Sequence, residues 1–98
     1  MKKSKNLHIY GQQIWHDDLL IVGTEQSLRN LKESIDKALE QGFSRGVYMA
    51  NGDEGYDLYV RVENDKKEWN RIETPYVEED DNLDYLKSKE DIIKENNK

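Results

Sequence analysis

The stretch TEQSLRNLKESIDKALEQG, residues 24–42, decides the fold of this chain. Its apolar residues recur at three- and four-residue spacing, which is the period of one helix face. These residues are Leu28, Leu31, Ile35, Ala38 and Leu39. Thr24 is a natural N-cap, and Gly42 stands where a left-handed C-cap residue is favoured. The stretch therefore predicts an amphipathic helix of about four to five turns.

Two strands are predicted before this helix. Leu7–Tyr10 has the alternation of a short strand, and Ile14–Val22 is typical of a longer one. The longer segment ends in the apolar run LLIV, residues 19–22, which suits a central strand covered on both faces. Gly11 and Gln12 between the segments favour a two-residue hairpin turn. That turn would place His8 opposite Trp15, whereas a three-residue loop would place His8 opposite His16.

Two further strands are predicted after the helix, at Phe43–Ala50 and Tyr56–Val62, with a turn between them at Asn51–Gly55. The order is ββαββ, followed by a C-terminal helical region that opens at Glu78. This order predicts the α+β class, as a single small two-layer domain in which an antiparallel sheet packs on one long helix. Leu28, Leu31, Ile35 and Leu39 are expected to face the sheet.

The rest of the chain carries weaker signals. Trp69–Val77 is predicted as an edge strand, since Pro75 restricts it to an edge or an extended segment. Ser88 is expected to cap a last helix that begins at Lys89. Residues 1–6 and 96–98 are expected to be disordered.

The composition excludes several classes of protein. The 98 residues contain no cysteine, so disulfide and thiolate chemistry are excluded. Residues 1–50 hold seven Lys/Arg and six Asp/Glu, and residues 51–98 hold eight and fifteen, so the net charges are +1 and −7. The acidic second half argues against duplex nucleic acid and anionic membranes as partners. No signal-peptide core or membrane span is evident, so a cytoplasmic location is expected.

No catalytic or metal-binding pattern stands out, and we expect no enzyme activity, no metal and no cofactor. His8 and His16 lack a third ligand at a recognisable spacing. Asp17 and Asp18 are neighbours on a predicted strand and would point to opposite faces, so they are not a carboxylate pair. Asn51–Tyr56 matches neither a calcium loop nor a phosphate loop. A cryptic enzyme that uses His16 with Asp17 is the third functional hypothesis.

Surplus aromatic residues with interspersed arginines indicate a binding face, because interfaces are rich in both. Tyr59 and Arg61 alternate along their strand with residues that should face the core, so they should lie on the face that the helix leaves open. The candidate binding residues are Trp15, His16, Asp53, Glu54, Tyr59, Arg61, Trp69 and Arg71.

Two hypotheses about the partner follow from these residues. The first is a non-catalytic protein that binds a protein partner, with a homodimer as a further expectation because the apolar stripe after Glu78 is thin. The alternative is a binder of a nucleotide or small anionic ligand, in which Trp15 or Tyr59 stacks on the ligand and Arg61, Arg45 or Arg71 meets its charge.

Three segments resemble a pattern in small uncharacterised proteins of bacteria and their phages. They are WHDD (15–18) with IVGT (21–24), the Leu28–Leu39 stripe, and GDEGY (52–56). The resemblance covers about residues 7–62 and attaches no activity to them. By analogy with small phage proteins, it implies a partner that is a host enzyme or a sequestered nucleotide signal.

Overall fold

The computed structural model describes residues 6–50, 54–76 and 86–96. The chain divides into two units. The first unit contains residues 1–10 and 20–62, and the second contains residues 11–19 and 63–98. The element order is β1 (Leu7–Tyr10), β2 (Leu20–Gly23), α1 (Glu25–Gln41), β3 (Phe43–Met49), β4 (Gly55–Arg61), α2 (Lys66–Trp69) and α3 (Lys89–Asn96). The first five elements follow the predicted ββαββ order, and the α+β class is confirmed.

The long helix α1 spans Glu25–Gln41 and begins and ends where the sequence predicts. The Thr24 hydroxyl accepts a hydrogen bond of 3.2 Å from the Ser27 N–H, which satisfies one free donor of the first turn. Gly42 adopts the left-handed conformation at φ 90°, and its N–H donates to the Ala38 carbonyl. A side chain at this position would be strained, which explains why glycine ends the helix.

Strands β3 (Phe43–Met49) and β4 (Gly55–Arg61) form an antiparallel pair, as predicted. Hydrogen bonds from Ala50 N to Glu54 O and from Val62 N to Gly42 O extend the ladder at its two ends. Hydrogen-bonded and non-hydrogen-bonded residue pairs alternate along an antiparallel ladder, so these two bonds show that the even-numbered residues of β3 and β4 bond to each other. The N–H and C=O groups of the odd-numbered residues point to the outer edges.

Helix α1 packs on the even-numbered face of β3–β4 through small residues. The Ser44 hydroxyl donates a 2.6 Å hydrogen bond to the Ser34 carbonyl. Ser27 and Ala38 are fully buried, and Tyr48 is 2% exposed. A Cβ added to Gly46 would lie 3.0 Å from the Tyr48 ring, so the glycine permits a close approach here.

The prediction that the leucine stripe of α1 faces the sheet is largely wrong. Leu28 is 42% exposed, Ile35 43% and Leu39 68%, whereas Leu31 is half-buried. Ser27 and Ala38 are the buried residues of the helix, and Leu31 and Ser34 lie half-buried between them; the small side chains let the helix lie close to β3. Leu28, Ile35 and Leu39 flank this line.

Strands β1 (Leu7–Tyr10) and β2 (Leu20–Gly23) form a second antiparallel pair with Tyr10 opposite Leu20. The predicted turn at Gly11-Gln12 and the long strand from Ile14 are therefore wrong. His8 lies opposite Val22, so neither Trp15 nor His16 is its cross-strand partner.

The physical reason lies in residues 11–19. The Asp17 carboxylate accepts a 3.0 Å hydrogen bond from Gln13 N, and Asp17 N donates to the Ile14 carbonyl at 3.2 Å. A short side chain that bonds the nearby backbone competes with the strand ladder. His16 adopts a positive φ of 61°, which no strand accommodates.

The two pairs of strands meet where β1 approaches β3 and β4. A single parallel bridge joins Asn6 to Met49, and the Tyr56 hydroxyl donates to the Leu7 carbonyl. Leu7 is fully buried and anchors β1 in the core of the first unit. The sheet that the sequence predicts is therefore two two-stranded sheets.

The described residues of the second unit form two short helices, α2 (Lys66–Trp69) and α3 (Lys89–Asn96). Residues 66–69 are thus helical, and Ile72 forms only an isolated bridge with Lys87, so the predicted edge strand Trp69–Val77 is wrong up to Tyr76. The Asp65 side chain caps α2 through Lys67 N, which favours the helix over a strand.

The predicted start of the last helix is confirmed. The Ser88 hydroxyl accepts from Asp91 N at 3.2 Å, and the Asp91 carboxylate accepts from Ser88 N at 3.1 Å. Contrary to the disorder expected at these positions, Asn6 bridges Met49 and Asn96 belongs to α3. The remaining terminal residues and the segment 77–85, where a helical region was expected to open, lie outside the described residues.

Candidate binding site

The face of β3–β4 opposite to α1 collects aromatic and charged side chains, and we call it the open face. Alternation along the two strands puts eight residues on it, which are Phe43, Arg45, Val47, Met49, Gly55, Asp57, Tyr59 and Arg61. Arg45 and Asp57 are exposed and Val47 is 50% exposed, whereas Phe43, Tyr59 and Arg61 are half-buried. This face belongs wholly to the first unit.

Tyr59 is the centre of the open face. Its ring stacks on Phe43 with centroids 6.4 Å apart and 20° between the planes. Arg45, directly opposite Tyr59 in the ladder, places its guanidinium carbon 5.8 Å from the Tyr59 ring centroid. The arrangement is a short aromatic and cationic row across two strands.

Arg45 is held by a second contact, a 3.1 Å ion pair between its Nη2 and Asp57 Oδ2. Both side chains remain well exposed, at 53% and 38%, so the pair adds little to the stability of the fold. The contact places the guanidinium beside the Tyr59 ring. An oriented arginine next to a tyrosine is a frequent anchor of protein interfaces.

A shallow groove of about 360 Å³ lies at the junction of the two strand pairs. It is lined by Leu7, His8, Ile9, Tyr10, Ala50 and Tyr56. The Ala50 carbonyl can only accept, so His8 donates from Nε2 at 2.7 Å, and Nδ1 is left to accept from the Tyr10 hydroxyl at 3.3 Å.

Tyr56 in the same groove donates its hydroxyl to the Leu7 carbonyl. Burial, with a smaller contribution from the neighbouring Tyr48 hydroxyl, raises the pKa of Tyr56 above its ordinary value. The polar side-chain atoms of His8 and Tyr56 are thus engaged in internal bonds. The hydrogen bonds in this groove join β1 to β4 and to Ala50, so few of its polar groups are left for a ligand.

A second groove, of about 250 Å³, follows the edge of β3 beside α1. Its lining combines the β3 segment 45–48 with the helix residues Asn30, Glu33, Ser34 and Lys37. The lining is mixed in charge, with no apolar pocket that would enclose a small molecule. It therefore matches poorly with the usual small-ligand cavity.

The predicted binding residues divide between the two units. Tyr59, Arg61 and Glu54 belong to the first unit, and the two strand residues lie on the open face as predicted. Glu54 is exposed next to β4, and Asp53 lies outside the described residues.

The other four predicted residues belong to the second unit. Trp15 is 61% exposed, and its ring centroid lies 4.2 Å from that of His16. Trp69 is also 61% exposed, at the end of α2, and Arg71 forms a 3.3 Å ion pair with Glu68. Trp15 and Tyr59, the two predicted stacking residues, are in different units.

Sequence reasoning named Arg45 only as one of three arginines that could meet the charge of a small ligand, and it did not place Phe43 at the site. The signal was present, because Phe43, Arg45 and Val47 alternate along β3 as Asp57, Tyr59 and Arg61 do along β4. Their juxtaposition depends on the register between the strands, which a turn of unknown length leaves open.

The titratable side chains of the described residues bear on the metal and enzyme hypotheses. Across residues 6–50, 54–76 and 86–96, no group of three or more His, Cys, Asp or Glu side chains is placed to hold a metal ion. In the same ranges no hydrogen bond joins His16 to Asp17, whose carboxylate accepts from Gln13 N. Among the described helices none is both long and apolar enough to cross a membrane.

Comparison of the chain with protein-family models, with curated proteins and with solved structures finds no match.

Proposed function

We propose that this chain is a non-catalytic binding protein that engages a protein partner through the open face. The observation that carries the proposal is the row in which Tyr59 contacts both Phe43 and Arg45, and Arg45 forms an ion pair with Asp57. Tyrosine and arginine at the centre of a patch are the residue types that contribute most to protein association. Val47, half exposed beside them, adds apolar surface.

A protein partner fits this face better than a small ligand does. Small-molecule sites are concave and enclose most of the ligand, whereas the open face is the surface of a two-stranded ladder. The Tyr59 ring already contacts Phe43 and Arg45, which reduces the ring area left for a flat base. A partner that covers the whole row would instead use all three side chains at once.

Site-specific photo-crosslinking in cells tests this proposal. A photoreactive residue in place of Val47 should give one adduct of defined mass, and excess unlabelled chain should compete it away. Arg45→Ala should remove the adduct, because it deletes the guanidinium beside Tyr59 and leaves the backbone hydrogen bonds between β3 and β4 intact. The matched control is the same residue in place of Asp36, which is exposed on α1. An adduct that forms equally at both positions, or only at Asp36, contradicts the proposal.

A thermal-shift screen with nucleotides and cyclic nucleotides tests the small-ligand alternative. A ligand at about 100 times its Kd stabilises the folded state by about 2.7 kcal/mol. Stabilisation by a nucleotide that Tyr59→Ala abolishes would favour the small-ligand function over the protein partner. Equal melting temperatures with and without each nucleotide would leave the protein partner as the better-supported function.

A further inference from the structure

Strand β2 has the composition of a central strand but the position of an edge strand. Its sequence is LIVG, and its three large residues are exposed, with Leu20 at 55%, Ile21 at 41% and Val22 at 49%. Because successive residues point to opposite faces, both faces of the strand present apolar surface. Ile9 and Tyr10 on β1 extend this surface at 43% and 55% exposure.

The backbone of β2 is also open along its outer edge. The hydrogen bond from Thr24 N to Asn6 O extends the β1–β2 ladder. Since hydrogen-bonded pairs alternate along an antiparallel ladder, the even-numbered residues are the ones that bond between β1 and β2. The N–H and C=O groups of Ile21 and Gly23 therefore point away from β1. Within the described ranges β2 pairs with β1 alone, so these groups face no second strand.

The other edges in the first unit are less open to strand addition. On the outer edge of β1, the Leu7 carbonyl already accepts a hydrogen bond from the Tyr56 hydroxyl, and charged residues lie on β3 and β4. Arg45 lies on the edge strand β3, and Asp57 lies on β4. Natural proteins blunt edge strands with charged residues, prolines or bulges, and β2 has no charged residue and no proline. Among these strands, β2 is thus the one best suited to receive another strand.

We infer that β2 pairs antiparallel with β2 of a second copy of this chain. An antiparallel pair about a twofold axis is complementary to itself, so one open edge satisfies the other. With Ile21 opposite Ile21 of the second copy, Leu20 lies opposite Val22 of that copy and the apolar side chains meet. No like charges face each other, because the paired strands contain none. The two-stranded sheet thereby becomes a four-stranded one.

The charge of the chain sets the conditions for this dimer. The net charge of −6 on each copy opposes association at long range. Salt screens that repulsion over about 10 Å at 0.1 M ionic strength, while the contact itself is uncharged. Self-association through β2 should therefore strengthen as salt is added, whereas association through ion pairs would weaken.

Sedimentation of the full chain over a range of concentrations tests the inference. Wild type should self-associate, and Val22→Lys should weaken the association by at least about tenfold, because two lysines would be placed beside the axis. Val47→Lys is the matched control, since Val47 is 50% exposed on another edge strand. The inference is overturned if wild type remains a monomer at millimolar concentration, or if Val47→Lys dissociates the dimer as strongly as Val22→Lys does.

Backbone hydrogen exchange gives a test that needs no substitution and does not depend on the folding of a variant. The N–H groups of Ile21 and Gly23 should exchange more slowly in concentrated than in dilute samples. Those of Arg45 and Val47, which point to the open edge of β3, should be unchanged. Slowing at Arg45 and Val47 alone, or at none of the four, would overturn the inference. Neither outcome bears on the open face, because the crosslinking experiment reports on that face separately.

Discussion

The Ser44 hydroxyl donates a 2.6 Å hydrogen bond to the backbone carbonyl of Ser34, joining the buried side of β3 to the middle of α1. Ser44 is only 5% exposed, so the bond is shielded from water. The Tyr48 hydroxyl lies 3.5 Å from the Ser34 hydroxyl, and it completes a polar contact line between helix and sheet. The layers of the first unit are therefore joined partly by hydrogen bonds where larger domains use leucine and isoleucine.

Ser44→Ala should lower the free energy of unfolding by about 1 kcal/mol, because a typical buried hydrogen bond contributes about 0.5–1.5 kcal/mol. Urea unfolding followed by circular dichroism measures the change. Lys32→Ala on the exposed side of α1 is the control, and it should stay within about 0.5 kcal/mol of wild type. Equal stability of Ser44→Ala and wild type would show that the bond has no net effect.

Leu7→Ala should be far more damaging than Leu39→Ala, although the substitution is the same. Leu7 is fully buried, so its truncation leaves a cavity and should cost about 2–5 kcal/mol. Leu39 is 68% exposed, and its truncation should cost less than about 0.5 kcal/mol. The two unfolding midpoints in urea measure the difference. A larger loss of stability for Leu39→Ala than for Leu7→Ala would mean that the leucine stripe of α1 belongs to the core.

Local signals account for what the sequence predicts correctly. Thr24 and Gly42 fix the two ends of α1 through hydrogen bonds to residues a few positions away in the sequence. Ser88 fixes the start of α3 in the same way. The alternation of β4 places Tyr59 and Arg61 on the face opposite to α1 without knowledge of any distant residue. Elements that depend on near neighbours are therefore the predictable part of this chain.

Features that depend on competing contacts are predicted wrongly. Gly11 suits a hairpin turn, yet the Asp17 side chain bonds Gln13 N and β2 begins only at Leu20. The side of α1 that is buried depends on the close approach to β3 that Ser34 and its small neighbours permit. The spacing of apolar residues in the sequence does not indicate this approach. Tertiary packing overrides the local pattern in both cases.

Gly23→Ala should destabilise the first unit by about 1–3 kcal/mol, the usual cost of overpacking. A Cβ on Gly23 would lie 2.8 Å from Leu7 Cδ1 and 3.1 Å from the Asn6 carbonyl oxygen, and the backbone atom cannot move without disturbing β1. Gly11→Ala is the matched control, because nothing lies within 4 Å of the added atom. Thermal unfolding at low protein concentration compares the two variants. Similar melting temperatures would mean that β1 shifts at no cost.

The last prediction concerns Lys87, whose ammonium lies 2.6 Å from Glu68 Oε2 and 2.9 Å from Glu95 Oε1 in the second unit. The hydrogen bond from Lys87 is the main cause that lowers the pKa of Glu68 below its ordinary 4.5, against an opposing effect of burial. The hydrogen bonds to Glu68 and then Glu95 raise the pKa of Lys87 above its ordinary 10.5.

The signs of these shifts define the pH range in which the contact stabilises the folded second unit. The lowered pKa of Glu68 gives a contribution that is present above about 4.5 and is lost as the pH falls through the shifted value. The raised pKa of Lys87 gives a contribution that is present below about 10.5 and is lost as the pH rises through its shifted value. Both contributions are therefore complete at neutral pH.

Titration of the Glu68 carboxyl carbon by NMR measures the acid side of this range. The midpoint should lie below 4.5 in wild type and should rise in Lys87→Met, which keeps the length of the side chain but removes its charge and its donors. Arg71→Met is the matched control, because Arg71 approaches Glu68 only to 3.3 Å and affects its pKa less than Lys87 does. It should raise the midpoint by a smaller amount. If Arg71→Met raised the midpoint more than Lys87→Met, the short contact with Lys87 would not be the cause of the shift.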